Sequence, residues 1–305
     1  MSNDDLTRAR VKGADVPPEL IAPLSDSSSR LGDAAELRRR LAQDGYLFLR
    51  GALDAEAVRA ARAEVLTRLE AVDEIEPGSD GCFTGRSRRD ELEGDRGRFW
   101  KSVSDGPRVR RITNGAMLGQ IVESVAGEPV RAMDYLFLRV GVQGRATGLH
   151  FDYPFFTRGH DQVWTAWIPL GDCPVERGPF VVVENSHRFG DLTGALAGFD
   201  VVRNPERKAD LGADAISFAR ARGTRLLSAN FSAGDLCLFG MYLGHGSLDH
   251  HDPTGRVRVS CDIRWQPARL PIDERYFGPE PTGTTGAGYG ELNGAKPLTV
   301  EWHVR

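Results

Sequence analysis

The stretch RVRVSCDIRW, residues 256–265, alternates polar and apolar side chains. One face carries Arg256, Arg258, Ser260 and Asp262, and the other carries Val257, Val259, Cys261, Ile263 and Trp265. Successive side chains of a β-strand point to opposite faces, so this period of two predicts a strand with one polar and one apolar face.

Other short strands are predicted on the N-terminal side of this stretch, from residue 134 onward. They span residues 134–140, 162–170, 180–184 and 235–242, and turns rich in Gly, Pro, Asn and Asp separate them. Segments with helical spacing of apolar residues come earlier, at 33–43, 54–71 and 115–125. Helices followed by many strands predict a mainly β protein with packed helices, folded as a barrel or jelly roll.

The chain is predicted to form one large domain, at residues 34–275. Residues 1–33 are rich in Ser, Asp and Pro and are predicted to be a flexible or loosely docked N-terminal arm. Residues 276–305 form a segment rich in Gly and Pro, and the sequence leaves open whether it is an ordered cover or a mobile arm. Residues 78–98 form a long charged loop, which is usual for a functional or disordered segment.

Composition excludes several classes of protein. The net charge of −4 argues against a nucleic-acid-binding surface. No apolar run reaches the roughly 18 residues of a membrane span, and the polar N-terminus lacks the features of a signal peptide, so a cytoplasmic protein is expected. The four cysteines form no CxxC pair and are expected to be buried apolar residues and not zinc ligands. The sequence leaves the oligomeric state open.

A metal site is indicated by the motif Gly148-Leu-His-Phe-Asp152. Side chains two apart on a strand share a face, so His150 and Asp152 can bind the same ion. One more histidine from a neighbouring strand completes a 2-His-1-carboxylate triad, which suits non-haem Fe(II) and leaves three coordination positions open. His245 follows an apolar strand and is the preferred third ligand; His250 and His251 are the alternatives.

The order and spacing of several motifs resemble those of the phytanoyl-CoA dioxygenase-like family of Fe(II)/2-oxoglutarate-dependent oxygenases. The motifs are DGYLFLRG at 44–51, LHFD at 149–152, TAWIPLGD at 165–172, GPFVVVENSH at 178–187 and HGS at 245–247, followed by Arg256. The resemblance implies a double-stranded β-helix, a cupin-like jelly roll with the N-terminal helices on its major sheet. It also implies that His150, Asp152 and His245 hold Fe(II). Phe151 departs from the family, in which many members have Gln at that position.

The same resemblance implies a binding site for the co-substrate 2-oxoglutarate. Arg256 would hold its distal carboxylate, since Arg is a rigid two-pronged donor, and Arg258 on the same face is the rival. Ser260 is expected to add a hydrogen bond, and Arg139 is a further candidate. The polar face of residues 256–265 would then line the cofactor cavity. The apolar face, on the other side of the strand, would lie beneath the N-terminal helices.

The resemblance implies an oxygenase that uses O₂ and decarboxylates 2-oxoglutarate to succinate and CO₂ while it oxidises a small molecule. Hydroxylation in secondary metabolism is the expected outcome; desaturation, epoxidation and cyclisation are alternatives. Asp152 favours oxygenation over halogenation, because related halogenases have Gly or Ala there. A non-catalytic cupin-like binding protein and a zinc hydrolase or isomerase are the other hypotheses.

Residues that contact the substrate are expected close to the metal. Tyr153 and Phe155 follow the HxD motif directly, and Trp164 lies in the next predicted strand, so these three aromatic side chains are the candidates. The loop 78–98 is a candidate lid, in which Arg86, Arg88 and Arg89 would meet an anionic or polar substrate.

Overall fold

A computed structural model describes residues 5–211 and 214–301 of the chain. The strands are β1 (Arg10–Val11), β2 (Ala14–Asp15), β3 (Ile21–Pro23), β4 (Tyr46–Leu49), β5 (Val130–Ala132), β6 (Phe137–Gly141), β7 (Trp164–Pro169), β8 (Phe180–Val183), β9 (Leu226–Ser228), β10 (Leu236–Gly240), β11 (His245–Ser247) and β12 (Arg258–Pro267). The α-helices are α1 (Ala34–Asp44), α2 (Ala55–Glu70), α3 (Arg89–Leu92), α4 (Arg96–Ser104), α5 (Pro107–Thr113), α6 (Ala116–Ala126), α7 (Tyr153–Phe156), α8 (Gly190–Leu196) and α9 (Ala215–Arg222). Short 3₁₀ helices lie at Pro18–Leu20, Ser28–Arg30, Ser186–Arg188, Glu274–Tyr276, Gly288–Glu291 and Asn293–Ala295.

The N-terminal helices begin and end where the local sequence satisfies their free backbone groups. The carboxylate of Asp33 accepts from the N–H of Glu36 at the start of α1, and Gly45 ends that helix in the left-handed conformation at φ 82°. Asp54 caps α2 in the same way, through the N–H groups of Glu56 and Ala57. The helices predicted at 33–43, 54–71 and 115–125 are therefore confirmed as α1, α2 and α6.

Two facing sheets form the double-stranded β-helix that was predicted. The major sheet has the order β4-β10-β7-β12-β5, and β6 also pairs with β12; the minor sheet has the order β11-β8-β9-β3. Aromatic side chains fill the space between the sheets, and Trp167 lies 5.5 Å from Phe180 between ring centroids. This core fixes the separation of the sheets and so the width of the space in which a site can form.

Strand β12 has the two faces that its sequence predicts. Its odd-numbered residues from Val259 to Trp265 are buried in the main apolar core, together with residues of α1, α2 and α6. Its even-numbered residues are polar and buried on the opposite face, toward the minor sheet. The strand starts at Arg258, two residues later than predicted, and this difference changes the assignment of the arginines below.

The N-terminal segment differs from the predicted flexible arm. Within its described part, residues 5–33, the side chains of Leu6, Val11, Val16 and Leu20 are buried in one cluster with residues of α9 and β9. Strand β3 also extends the minor sheet by pairing in parallel with β9. Ordering this segment costs conformational entropy, and its polar composition predicted that it would stay mobile. The burial of these apolar side chains offsets that cost.

Three of the four cysteines have the buried environment expected of apolar residues, namely Cys173, Cys237 and Cys261, whereas Cys82 is only partly buried. In the part of the chain that the structure describes, no helix has both the length and the apolar character needed to cross a membrane.

Candidate metal centre

The side chains of His150, Asp152 and His245 meet at the open end of the sandwich. One candidate ligand atom from each of the three lies within 4.8 Å of the others. The Nε2 atoms of His150 and His245 are each 3.7 Å from Oδ1 of Asp152. Pairing of the two histidine backbones as an isolated β-bridge brings the HxD motif beside β11. The structure therefore brings together the three residues predicted from the sequence.

Backbone carbonyl groups orient both imidazole rings. The Nδ1 of His150 is 2.9 Å from the carbonyl oxygen of Gly148, and the Nδ1 of His245 is 2.9 Å from that of Leu243. A carbonyl oxygen only accepts, so each Nδ1 carries the proton and each Nε2 presents a lone pair toward Asp152. This is the tautomer that a metal ligand requires.

The electrostatics of the site keep the ligands in their metal-binding protonation states. Burial and the neighbouring His245 lower the pKa of His150 to about 3, and burial also lowers the pKa of His245. Burial alone would raise the pKa of Asp152, but Arg264 and the two imidazoles hold it below its ordinary value. At neutral pH the site thus offers two neutral imidazoles and one carboxylate, a donor set that fits Fe(II).

The alternative histidines point elsewhere. The Nε2 of His250 donates to the carbonyl oxygen of Arg256, and the Nε2 of His251 is 2.8 Å from the carbonyl oxygen of Arg8. Within residues 5–211 and 214–301, the cluster of His150, Asp152 and His245 is the one group of His, Cys, Asp and Glu side chains able to hold a metal ion. His245 is therefore the distal candidate ligand.

A second polar group inside the sandwich fits a carboxylate. Arg258 and Ser260 are both buried on the polar face of β12, and within the described chain the Nε of Arg258 and the Oγ of Ser260 have no hydrogen-bond partner. Arg139 lies opposite Ser260 in the pairing of β6 with β12 and donates to Asp262. Buried donors left without an acceptor are costly, so a bound carboxylate would satisfy them.

The structure does not bring Arg256 to this group, which corrects the predicted role. Its side chain is 43% exposed and lies 3.6 Å from the carboxylate of Asp80, which is itself 60% exposed. Its backbone pairs with Cys82 in the turn before β12. Since the strand begins at Arg258, the alternation that carries side chains into the sandwich starts there, and Arg258 is the first buried arginine on the polar face of β12.

A cavity beside the candidate ligands has both apolar and charged side chains in its wall. Phe137, Phe155, Phe156 and Leu292 contribute to that wall, and Arg139 and Arg264 contribute guanidinium groups. Phe155 is thus where the sequence predicted it. In the described structure the other two aromatic candidates do not line this cavity: Tyr153 packs against Tyr242 at 5.0 Å, and Trp164 packs into the main core on the helical side of β7.

The C-terminal segment, for which the sequence left two possibilities, is an ordered cover as far as residue 301. Tyr289, Leu292 and Leu298 are buried, and Leu292 and Asn293 line the cavity. No local sequence signal indicates this position, because the segment reaches the site only by long-range packing.

The loop 78–98 supports this cover in place of the predicted contact with the substrate. Arg89 is fully buried, donates to the carboxylate of Glu74, and also donates to the carbonyl oxygens of Gly294 and Lys296. Arg88 is exposed and pairs with Glu91, while Arg86 is exposed near Asp73. The loop therefore fixes the C-terminal segment over the cavity.

Two residues beside the metal ligands were missed from the sequence, Arg264 and Thr165. Both donate hydrogen bonds to Oδ2 of Asp152, at 2.9 Å and 2.7 Å. Arg264 continues the polar face of β12 by one further alternate position, and that spacing is the signal from which it could have been predicted.

Comparison with known proteins agrees with this geometry. The model of the phytanoyl-CoA dioxygenase family matches residues 41–257. The 1-deoxypentalenic acid 11-beta-hydroxylase of Streptomyces arenae is 29% identical over 260 residues, which cover 80% of this chain and 85% of that protein. The protein of the same name from Streptomyces exfoliatus is 28% identical, with 90% and 97% coverage. In fold, the chain is similar to the epimerase SnoN in complex with Fe³⁺, alpha ketoglutarate and nogalamycin RO, with a TM-score of 0.55, 21% identity and coverage of 90% and 95%.

Proposed function

Since this chain belongs to the phytanoyl-CoA dioxygenase family of iron(II)- and 2-oxoglutarate-dependent oxygenases, we propose that it hydroxylates a small molecule of secondary metabolism. The observation that carries the proposal is the convergence of His150, Asp152 and His245 beside a cavity. Three ligands on one side of an ion leave positions for a bidentate co-substrate and for O₂.

Different residues of this chain would bind the co-substrate and the substrate. Iron, when bound, supplies the oxidation of a C–H bond at the expense of 2-oxoglutarate and O₂. Arg258 and Ser260 would bind the distal carboxylate of 2-oxoglutarate, and Arg139 lies on the neighbouring strand to add to that binding. Phe137, Phe156 and Leu292 would exclude water and hold the substrate against the ligand face.

The cavity also supports a substrate class. Phe137, Phe155, Phe156 and Leu292 form an apolar part of its wall, which suits an apolar skeleton. Two relatives carry the name of 1-deoxypentalenic acid 11-beta-hydroxylase. We therefore include an apolar acid in the proposed class, and 1-deoxypentalenic acid is the first compound to test.

The test is turnover by the full chain with Fe(II), 2-oxoglutarate and a panel of apolar acids. Hydroxylation predicts equal amounts of succinate and a product heavier by one oxygen atom, and that atom should come from labelled O₂. The His245→Ala variant is the control, since it removes one proposed ligand. Absence of succinate and of oxygen uptake with every compound, although metal binds, would contradict the proposal and favour a binding protein or a zinc hydrolase.

The mass of the product separates the remaining alternatives. Desaturation and cyclisation each remove two hydrogen atoms, whereas epoxidation of an alkene adds one oxygen atom and is identified by the structure of the product. The reaction is also run in saturating chloride, where Asp152 predicts that no chlorinated product forms, because its carboxylate would fill the position that a halide needs.

A further inference from the structure

The two oxygen atoms of the Asp152 carboxylate have different surroundings. Oδ1 faces the metal position and is 3.7 Å from Nε2 of both His150 and His245. Oδ2 faces away and accepts two hydrogen bonds, from Oγ1 of Thr165 at 2.7 Å and from the guanidinium of Arg264 at 2.9 Å. Every group in this arrangement is buried except for the partly buried His150.

We propose that Arg264 and Thr165 are positioning residues that reserve Oδ2 and so limit Asp152 to one metal–oxygen bond. This inference rests on the proposed function, because it concerns the geometry of the same metal site. A carboxylate that bound through both oxygens would take one more coordination position. Three positions are needed for 2-oxoglutarate and O₂, and two strong donors on Oδ2 keep that position free.

The sheet places the two donors side by side. Arg264 on β12 is the direct register partner of Thr165 on β7, so their side chains leave the sheet on the same face. Neighbouring residues in antiparallel strands cannot separate without breaking the ladder. The donors are therefore fixed by the most extensively paired strands of the major sheet and not by a loop.

Packing also fixes the guanidinium of Arg264. Its Cζ lies 4.4 Å from the ring centroid of Phe137 and 4.2 Å from that of Phe156. The side chain is 2% exposed and forms a salt bridge with Asp152. Stacking between the two aromatic rings holds the planar guanidinium in one orientation. The ammonium group of a Lys is not planar and could not be held in this way.

The experiment measures metal binding without turnover, by calorimetric titration with Co(II) and by the visible absorption spectrum of the Co(II)-loaded protein. The variants are Arg264→Met, Arg264→Lys, Thr165→Val and Thr165→Ser. Arg62→Met is the matched control, because Arg62 is a buried arginine on the far side of β12 that donates to the carbonyl oxygens of Leu170 and Val257.

We expect Arg264→Met and Thr165→Val to weaken Co(II) binding by roughly 10- to 100-fold, the range for changes to groups that hold metal ligands. We also expect the visible bands of the Co(II) protein to shift, since a second carboxylate oxygen would replace another ligand of the ion. The affinity of the Co(II) protein for 2-oxoglutarate should fall as well. Thr165→Ser keeps the hydroxyl group and should match the wild type, and Arg264→Lys should recover part of the affinity but not the spectrum.

An unchanged Co(II) affinity and spectrum in folded Arg264→Met or Thr165→Val would overturn the inference. So would an equal loss in Arg62→Met, which would indicate a general effect of removing a buried arginine. If Arg264→Met does not fold, the pair Thr165→Val and Thr165→Ser decides the question alone. Failure of the proposed function would instead appear as normal Co(II) binding by the wild type without succinate formation.

Discussion

The backbones of His150 and His245 hydrogen-bond to each other in both directions, at 2.9 Å and 3.0 Å between N and O. This pairing sets the HxD motif directly beside the distal histidine, and the ring centroids of the two residues are 4.3 Å apart. The metal position is therefore a property of the minor sheet and does not depend on a flexible loop.

Metal binding is expected to need all three residues of the triad. His150→Ala, Asp152→Ala and His245→Ala should each weaken Fe(II) or Co(II) binding by two orders of magnitude or more, because each removes one of the ligands that the ion requires. Calorimetric titration under anaerobic conditions measures this. His251→Ala is the control, since that side chain faces Arg8 and should leave binding unchanged. A larger loss in the control than in His245→Ala would contradict the assignment.

The co-substrate is expected to bind to Arg258 and not to Arg256. Arg258→Met should raise the Kd of 2-oxoglutarate for the Co(II)-loaded protein by about 100-fold or more, since the carboxylate would lose a buried charged partner. Arg256→Met changes an exposed side chain and should shift the Kd by less than about threefold. Both variants should bind Co(II) normally. The opposite order of effects would restore the prediction made from the sequence.

The C-terminal segment is expected to determine substrate preference. Leu292→Ala and Asn293→Ala enlarge the cavity, because both side chains line it. Each should change the KM for the substrate, or the preferred size of the substrate, by about tenfold, a usual effect for a few methylene groups in a pocket. The KM for 2-oxoglutarate should stay constant in the same steady-state assays. A parallel change in both constants would indicate general distortion of the site.

The buried pair of Arg89 and Glu74 is expected to stabilise the chain by holding the C-terminal segment. Arg89→Met removes one partner of a fully buried ion pair and should cost about 3–5 kcal/mol in the free energy of unfolding. Arg88→Met, one residue earlier and exposed, should cost less than about 1 kcal/mol. Urea unfolding of the metal-free proteins gives both values. Equal losses of unfolding free energy in the two variants would show that the buried ion pair is not the source of the stabilisation.

His250 is expected to make the protein less stable in mild acid. Burial lowers its pKa to about 4 from the ordinary 6.5, and its Nε2–H donates to the carbonyl oxygen of Arg256. As the pH falls from 7 to 5, the unfolded chain gains a proton on this residue while the folded chain does not, so folding weakens. The loss attributable to His250 should be about 2 kcal/mol by linkage. His250→Gln should show a free energy of unfolding that falls correspondingly less over this range.

The sequence determined the features that depend on short spacing. Side chains that are two residues apart in an extended segment point to the same side, so His150 and Asp152 could be recognised as a pair of ligands. For the same reason, the alternation in residues 256–265 predicted both faces of β12. Helix ends were readable for the same reason, because Asp33 and Asp54 satisfy backbone groups within three residues of themselves.

Tertiary structure decided whatever depends on distant partners. The residue at which β12 begins determines which arginine enters the sandwich. That residue is fixed by the pairing of β12 with β6 and β7 and not by the local sequence. The same holds for Arg264 and Thr165, which meet at Asp152 only because β12 and β7 pair in one register. The N-terminal segment and the C-terminal cover have polar or Gly-rich sequences, and they are ordered because the rest of the fold offers apolar surface and buried donors to bind them. Local periodicity carries no information about such contacts, since their free energy comes from groups that are far away in the chain.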